Sequence, residues 1–391
     1  MTVRPSLRRP PLLAAVTLII AVVAAPVLAG CGQAVDPPSH AASTGAEGSP
    51  PAAPTGAIAS PALATGAGPA ATGLPSPTPS PGLAPTPTPM RGPLGGDLLI
   101  ADRGNARLLI VAPDRQIVWS MQMAPAGAGA ISMGADDAFF TPDGRHIIVN
   151  EESRDVVALI DIATKRIVWQ YGHPGVAGRG PGYLNTPDDA YQLPGGIISV
   201  ADINNERILF IAPDGRVVRQ YGLTGVRRHD PPFAYAAPNG DTPLPDGGTL
   251  VTEIGGSWVD RLDAHGHLVW SVHLPGIGYP SDAQLLPNGN VLVADYSFPG
   301  KIEEVTPAGR VVWRYDVTHG PGMLNHPSLA AQLPNGNLVV NDDFNDRVVV
   351  IDPKTDRIVW QYGHTGVAGM GPGYLNTPDG LNFMPSNVVL P

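Results

Sequence analysis

Carboxylates recur along the sequence where a shared site would need them, and carboxylate oxygens are the ligands that hard cations prefer. One series stands where apolar segments begin, at Asp137, Asp189, Asp282 and Asp379. If the fold gathers these side chains near an axis, they would bind calcium or a cationic ligand. The alternative is that they cap turns at the starts of strands, which is a common use of aspartate.

A second series of acids is followed by arginine five residues later. The pairs are Asp102 with Arg107, Asp202 with Arg207, and Asp342 with Arg347. Five residues is the length of a short loop between two strands, so we predict that each ion pair holds its own loop in place. A part in a cation site is the alternative for these three acids.

Two histidines occupy matching places in duplicated loops. His173 and His364 each follow Tyr-Gly and precede a glycine-rich segment. Imidazole is a common metal ligand, so a metal shared between them is one interpretation and solvated loop histidines are the other. The chain shows no nucleophile elbow, zinc signature or Ser-His-Asp arrangement, and we therefore predict no catalytic residue.

An internal repeat determines which elements carry these residues. Tryptophan follows two aliphatic residues at Trp119, Trp169, Trp270, Trp313 and Trp360, and Arg219 fills the one missing position. The spacings are 50, 50, 51, 43 and 47 residues. One acid recurs in step with them in every unit, and we call these six the periodic acids: Asp102, Glu151, Asp202, Glu253, Asp295 and Asp342. Four-stranded units with a period of about 40–50 residues are typical of β-propeller blades.

The third unit shows the four strands most clearly. Apolar runs at 190–193, 197–201, 207–211 and 216–218 are separated by two turns and one loop. Both turns contain Pro and Gly, and Asp-Gly or Asn-Gly turns between apolar runs are strong hairpin signals. Six such units follow one another, so the sequence predicts an all-β fold, a six-bladed β-propeller with four-stranded blades, over residues 94–391.

The two ends of this region complete each other. The first unit lacks an innermost strand, whereas residues 376–385 form a strand that has no partner of its own. Pairing this strand with Leu98–Ile100 would complete the first blade and remove two open sheet edges, which otherwise promote aggregation. We therefore predict a closed ring in which the C-terminal strand pairs with blade 1.

The glycine-rich loops and the segments that follow them resemble the NHL repeat. Residues 171–187 and 362–378 contain nearly the same loop, ending in Asn-Thr-Pro. Residues 201–208 follow the repeat pattern A-D-x-x-N-x-R-I. The resemblance covers residues 94–391, most clearly in units two, three and six. It implies a propeller, and it leaves the activity open because such repeats serve binding scaffolds and enzymes alike.

A second, partial resemblance concerns the tryptophans. Residues 161–169 and 352–360 are similar to the tryptophan-docking repeat of pyrroloquinoline-quinone propellers. That resemblance implies that the tryptophans join neighbouring blades. Quinone dehydrogenases of that type have eight blades, so we predict a structural role for the tryptophans and no quinone cofactor.

The start of the chain has the layout of an export signal. Residues 1–30 begin with three arginines and continue in an apolar run. The run ends in Leu28-Ala29-Gly30-Cys31, which resembles the lipobox of bacterial lipoproteins and implies cleavage before Cys31 and lipid on its sulfur. We expect an extracytoplasmic protein, lipid-anchored to the bacterial cell membrane. A secretory signal with an incidental cysteine is the alternative.

The amino-acid composition limits which segments can fold, whether disulfides can form and which partners the protein can bind. Residues 31–93 consist mainly of Ala, Pro, Gly, Ser and Thr, which is too few apolar side chains for folding, and we predict a disordered tether. Cys31 is the one cysteine, so no disulfide can form within the chain. The net charge is −10, and losing the three leader arginines would make it −13. This balance excludes a nucleic-acid partner, which needs a basic surface.

These observations lead to one expected function and one alternative. We expect a monomeric cell-surface lipoprotein whose propeller is a non-catalytic scaffold for a protein, glycan or small-molecule ligand. The alternative is a propeller enzyme, a metal-dependent hydrolase, lactonase or lyase with a carboxylate-lined channel. No cofactor is assigned, and calcium is the candidate ion.

Overall fold

The computed structural model describes residues 92–123 and 134–391. The predictions for the leader, for Cys31 and for the tether up to residue 91 lie outside these residues. The described part of the chain contains 23 β-strands and four three-residue 3₁₀ helices. None of its helices is long and apolar enough to span a membrane. The all-β class predicted from the sequence is confirmed.

The strands form six sheets, which we number as blades in chain order. Blades 1–3 contain β1 (Leu98–Asp102), β2 (Arg107–Val111), β3 (Ile117–Gln122), β4 (Ala138–Phe140), β5 (His146–Glu151), β6 (Val156–Asp161), β7 (Arg166–Gly172), β8 (Pro187–Gln192), β9 (Ile198–Asp202), β10 (Arg207–Ile211) and β11 (Val217–Tyr221). Blades 4–6 contain β12 (Thr249–Glu253), β13 (Trp258–Leu262), β14 (Leu268–His273), β15 (Pro280–Leu285), β16 (Val291–Asp295), β17 (Lys301–Val305), β18 (Val311–Tyr315), β19 (Ala330–Gln332), β20 (Leu338–Asp342), β21 (Arg347–Asp352) and β22 (Arg357–Gly363). The last strand, β23 (Pro378–Phe383), returns to blade 1.

Neighbouring strands are antiparallel, and each blade runs outward from its innermost strand. Blade 3 has the order β8-β9-β10-β11, and blade 1 has the order β23-β1-β2-β3. The register between β1 and β23 pairs Leu98 with Phe383, Leu99 with Asn382, and Ile100 with Leu381. The chain ends therefore close the ring as their sequences predicted, and the six-bladed β-propeller is confirmed.

The second strand of each blade is an apolar run because it packs against neighbouring blades on both faces. In β1, Leu98 and Ile100 belong to one hydrophobic cluster, whereas Leu99 and Ala101 belong to another. Successive side chains of a strand point to opposite faces, which explains this division. All four are buried, and burying an aliphatic side chain of the size of leucine contributes about 1.5–3 kcal/mol.

Four of the five repeated tryptophans join their blade to the next. The indole N–H donates to the loop between the third and fourth strands of the following blade. The Nε1 bonds run from Trp119 to Ile162 O (3.0 Å), Trp169 to Pro213 O (3.1 Å), Trp313 to Asp356 Oδ1 (3.0 Å), and Trp360 to Pro113 O (3.0 Å). In blade 3, Arg219 replaces tryptophan and donates to Ala264 O at 3.4 Å. Trp360 joins blade 6 to blade 1, so the ring is closed at its rim as well as at β23.

Blade 4 departs from the predicted pattern at its inner edge. It contains three regular strands, and residues 238–243 take the place of the fourth. This segment meets β12 through two isolated bridges, at Pro238 and Pro243. The loop before the segment, residues 222–237, contacts blade 4, where His229 Nδ1 lies 2.6 Å from Glu253 Oε1.

Candidate functional site

The innermost strands begin at one face of the ring, where they surround a cavity of about 310 Å³. We call this cavity the channel mouth. The inner edges of blades 1–5 each place one polar side chain there, directly after a proline or alanine, and these are Asp379, Asp136, Asp188, Asn239 and Ser281. The antiparallel order explains this arrangement, because all innermost strands then run in the same direction along the axis.

The channel mouth is chemically divided. Blades 1–3 contribute the carboxylates of Asp379, Asp136 and Asp188, whereas the corresponding residues of blades 4 and 5 are neutral. Blades 5 and 6 instead contribute aromatic rings. Tyr296 lies 6.2 Å from Phe344, centroid to centroid, and Phe344 is 48% exposed. In a six-bladed ring blade 2 lies opposite blade 5 and blade 3 opposite blade 6, so the acids and the aromatic rings stand on opposite sides.

One arginine enters this acidic half. Arg103 donates to Asp379 Oδ2 at 2.6 Å and to Glu152 Oε2 at 2.7 Å, and it also pairs with Asp136. Burial alone would lower the pKa of Arg103, but the three carboxylates raise it, so the guanidinium stays charged. Arg103 offsets one negative charge among several, and the channel mouth remains acidic.

More carboxylates lie deeper in the channel, where their hydrogen-bond partners are neutral. Asp282 accepts hydrogen bonds from Thr242 Oγ1 at 3.1 Å and from Gln284 Nε2 at 2.9 Å. Neither oxygen of Asp241 accepts a hydrogen bond from the described residues. Burial, with the charges of neighbouring aspartates, raises the pKa of Asp137, Asp189 and Asp241 well above the usual value. Such a group needs bound protons or a bound cation to be stable.

Three carboxylates that lie between the channel mouth and the deeper part of the channel form a suitable set of ligands for a cation. Asp136, Asp137 and Asp188 are buried, and one oxygen of each lies within 4.8 Å of the others. Calcium binds six to eight oxygen ligands in flexible geometry, so three carboxylates and solvent would suit it. The donor set contains only oxygen, which favours a hard cation over a transition metal.

The structure places the predicted acids together and the predicted histidines apart from them. Asp137, Asp189 and Asp282 converge in the channel, and Asp379 lies at its mouth. His173 and His364 instead pack against tyrosines of their own loops in a tilted arrangement, with centroid distances of 4.2 Å in both cases. Neither histidine lines the channel mouth or joins a group of three potential ligands within the described ranges.

The three predicted loop pairs are formed. The Nε to Oδ2 distances are 2.5 Å for Arg107 and Asp102, 2.7 Å for Arg207 and Asp202, and 2.6 Å for Arg347 and Asp342. Each arginine also donates to backbone carbonyls of the adjoining loop, as Arg207 does to Arg179 O and Tyr183 O at 3.2 Å. The pairs therefore fasten the glycine-rich loops to the blades rather than facing the channel.

Sequence reasoning missed the residue that directly follows each periodic acid. Arg103, Glu152 and Tyr296 occupy this position and line the channel mouth, and Asp343 occupies it in blade 6 and is buried. Their position in the repeat was a usable signal. It was obscured because these residues differ in charge and size, so they form no visible sequence pattern.

We predict that the propeller loses stability as the pH rises above about 4 in a buffer without divalent cations. The buried aspartates have raised pKa values in the folded state and values near 3.9 when unfolded, so the folded state binds more protons above that pH. Their stabilising contribution is fully present below the unfolded pKa and is lost as the pH rises through the folded pKa. Urea unfolding midpoints at about pH 5 and pH 8 measure the loss.

The variant D241N tests the assignment of this pH dependence to the channel. It removes one titrating group, so the difference between the two midpoints should shrink, because each pKa unit corresponds to about 1.4 kcal/mol. D214N is the matched control, since Asp214 is exposed. A wild-type midpoint that increases with pH, or equal pH dependence in D241N and wild type, would contradict the prediction.

The described residues thus define a six-bladed β-propeller with an acidic and partly aromatic channel mouth. Two solved structures share this fold at low sequence identity. A protein of unknown function from Bacteroides caccae is 21% identical with a TM-score of 0.52, and the match covers 73% of this chain and 97% of that one. A chain of a nidogen–laminin complex is 15% identical with a TM-score of 0.52, covering 75% and 99%. No family model and no curated protein matches the sequence.

These similarities establish the fold and leave the activity open. A streptogramin B lyase also matches, at 17% identity over 59% of this chain and 69% of that one, but its TM-score of 0.44 is too low to support any argument. A propeller is consistent with a binding scaffold, since loops at one face of a rigid ring commonly carry binding residues. The function must be argued from the channel mouth itself.

Proposed function

We propose that the protein is a non-catalytic binding propeller whose channel mouth binds an organic cation. The observation that supports this proposal is the division of the channel mouth into an acidic half and an aromatic half. The acids come from blades 1–3 and the rings of Tyr279, Tyr296 and Phe344 from blades 5 and 6. The ligand would be a primary ammonium or guanidinium group, either free or on a partner protein.

The physical argument rests on charge and on ring faces together. Carboxylates in a partly enclosed cavity attract positive charge and repel anions. The faces of aromatic rings also attract cations, with contributions of about 0.5–2 kcal/mol depending on desolvation. An uncharged apolar ligand would cover Asp136 and Asp188 without replacing their hydration, which costs free energy. A ligand that combines a positive charge with an alkyl part matches both halves.

Isothermal titration with the diamine cadaverine tests the proposal. We expect saturable binding at one site, weakened by D188N, which removes a carboxylate, and by F344A, which removes a ring. F233A is the matched control for the ring, because Phe233 is exposed and does not line the channel mouth. The loss in both site variants should be about 1–2 kcal/mol.

Two outcomes would contradict the proposal. One is that the wild-type protein shows no saturable binding of cadaverine. The other is that F344A and D188N bind it as tightly as F233A does. The dianion glutarate serves as a charge control and should not bind, because the acids of the channel mouth repel it.

A second candidate is supported by the group of Asp136, Asp137 and Asp188. We propose calcium as the ion for this group, and a metal-dependent hydrolase, lactonase or lyase as the corresponding alternative function. Metal analysis of the purified protein distinguishes the two candidates. Calcium retained in stoichiometric amount by the wild type, and lost in D137N, would favour the metal-dependent enzyme over the diamine-binding scaffold.

The remaining parts of the proposal concern the location and the repeat type. The export layout of residues 1–30 and the sequence around Cys31 support a lipid anchor outside the cytoplasmic membrane, with residues 31–93 as a tether. The repeated Asp, Asn and Arg positions support NHL-like repeats, and the tryptophan contacts support docking of the kind implied by the quinone-propeller resemblance. We propose that the protein acts as a monomer and has no nucleic-acid partner.

A further inference from the structure

A second group of chemically active side chains lies away from the channel mouth, on the third strand of blade 4. Asp260 stands two residues into β13 and is completely buried. The corresponding residues of four other blades are apolar, namely Leu109, Ala158, Leu209 and Val349. An acid at this position is therefore a departure from the repeat, and it needs a physical explanation.

Blade 5 shows how such a buried acid is normally stabilised. There the corresponding residue is Glu303, and Arg314 on the neighbouring strand donates to its Oε1 at 2.6 Å. In blade 4 the residue opposite Asp260 is Ser271, which carries no charge. Neither oxygen of Asp260 has a hydrogen-bond partner among the described residues. Asp260 is thus a buried carboxylate without the cation that its counterpart has.

The periodic acid of blade 4, Glu253, also has no arginine partner five residues later in the sequence. Five residues after Glu253 stands Trp258, whereas blades 1, 3 and 6 have arginine there. His229 takes the place of that arginine, with its Nδ1 at 2.6 Å from Glu253 Oε1 and at 4.0 Å from Asp260 Oδ2. One potential ligand atom from each of the three residues lies within 4.8 Å of the others.

The imidazole of His229 is held in a defined orientation. Its ring stacks on Trp258 with a centroid distance of 4.0 Å and an interplanar angle of 10°. Its second nitrogen, Nε2, lies 3.2 Å from Ser271 Oγ. A histidine that binds a metal through one nitrogen usually donates its other N–H to an oxygen, which fixes the tautomer. Ser271 supplies that oxygen here.

We propose that His229, Glu253 and Asp260 form a binding site for a divalent transition-metal ion of the zinc type. The ligands are one imidazole nitrogen and two carboxylate oxygens, and both types of atom bind zinc in proteins. His229 is partly exposed, so solvent can reach the site and complete the coordination. This site goes beyond the proposed function, because it lies outside the channel mouth and uses none of its residues.

The electrostatics of the cluster support the same conclusion. Asp260 is completely buried and lies beside Glu253, the second buried carboxylate of the cluster. Two adjacent buried carboxylates cannot both remain charged without compensation, so the pair holds either a proton or a cation. A divalent ion would compensate both charges and would also satisfy the free oxygens of Asp260.

Zinc titration of the chelator-treated, full-length protein tests this proposal. We expect one equivalent of Zn²⁺ to bind, and binding to weaken at least about tenfold in H229Q and in D260L. Leucine nearly matches the shape of aspartate and is the residue that blades 1 and 3 carry at this position. D260L should therefore fold, and should do so without loss of stability, because it removes an uncompensated buried charge.

H267Q is the matched control for a surface histidine. His267 is exposed and lies beside Asp263 at 3.2 Å, so it has a histidine–carboxylate contact of its own but lacks a buried third ligand. H267Q should retain the zinc affinity of the wild type. Cadaverine binding should be unchanged in H229Q and D260L, which keeps this test separate from the test of the channel mouth.

Three results would overturn the proposal. The first is the absence of saturable zinc binding by the wild type, as expected if Glu253 and Asp260 share a proton instead. The second is unchanged zinc affinity in H229Q or D260L. The third is an equal loss of affinity in H267Q, which would place the zinc on the surface of blade 4.

Discussion

The protein that lacks residues 378–391 is expected to lose cooperative folding. Without β23 the inner edge of β1 has no partner, and blade 1 keeps only three strands. The deletion also exposes the buried face on which Leu381 packs, and it removes the Asp379 partner of Arg103. An unpaired apolar edge promotes aggregation. Urea unfolding followed by near-UV circular dichroism, together with size-exclusion chromatography, measures both effects.

A pair of point variants separates loss of the closing strand from general damage to the C-terminus. L381D places a charge at a position that is 1% exposed and should cost about 4 kcal/mol or more. V389D makes the same change at a position that is 80% exposed, and it should alter the free energy of unfolding by about 0.5 kcal/mol at most. Equal stability of the shortened and complete proteins would rule out β23 as the strand that closes the ring.

The variant R347M is expected to lower the free energy of unfolding by about 3–5 kcal/mol. Arg347 is buried, pairs with Asp342 at 2.6 Å, and donates to Pro321 O at 3.0 Å and Met323 O at 3.1 Å. Methionine retains most of the aliphatic stem, so the main change is electrostatic. Asp342 would remain buried without a cation. Removing one partner of a buried ion pair costs far more stability than replacing both partners by apolar residues. Denaturant unfolding of both proteins measures the difference.

R216M is the matched control for this loss. Arg216 pairs with Asp214 at 2.7 Å, close to the distance in the buried pair, but both side chains are mostly exposed. Exposed pairs contribute about 0–1 kcal/mol because water and salt screen them. If R347M lost no more stability than R216M, the pair of Asp342 and Arg347 would contribute no more than an exposed ion pair. The structural role assigned to the Asp–Arg spacing would then be wrong.

Features that repeat locally could be predicted from the sequence. The five-residue spacing of Asp202 and Arg207 indicates a short loop whose two ends lie opposite each other on neighbouring strands. The ion pair between the two side chains therefore follows from the spacing alone. The turns between apolar runs predicted where the strands begin and end. The strand at residues 376–385, which had no partner in its own unit, predicted that the ring is closed. The convergence of Asp137, Asp189 and Asp282 then followed from the ring, because equivalent positions of the blades must meet near its axis.

Features that depend on the ring geometry could not be predicted in this way. Whether Arg103 points to the axis or to solvent depends on the short 3₁₀ turn that it begins, and one sequence does not determine that turn. His229 lies in the loop before blade 4, in which most glycines of the corresponding loop 172–186 are replaced, so the repeat gives it no predicted neighbour.

The pairing of β23 with β1 has a consequence for the order of events during synthesis. The first strand of the ring leaves the ribosome almost 300 residues before the strand that completes its sheet. Until then no intermediate can bury the inner edge of β1 with its native partner, and contacts so distant in the chain form slowly. A nascent chain of this protein therefore remains incompletely folded until β23 has been synthesised and is free to pair.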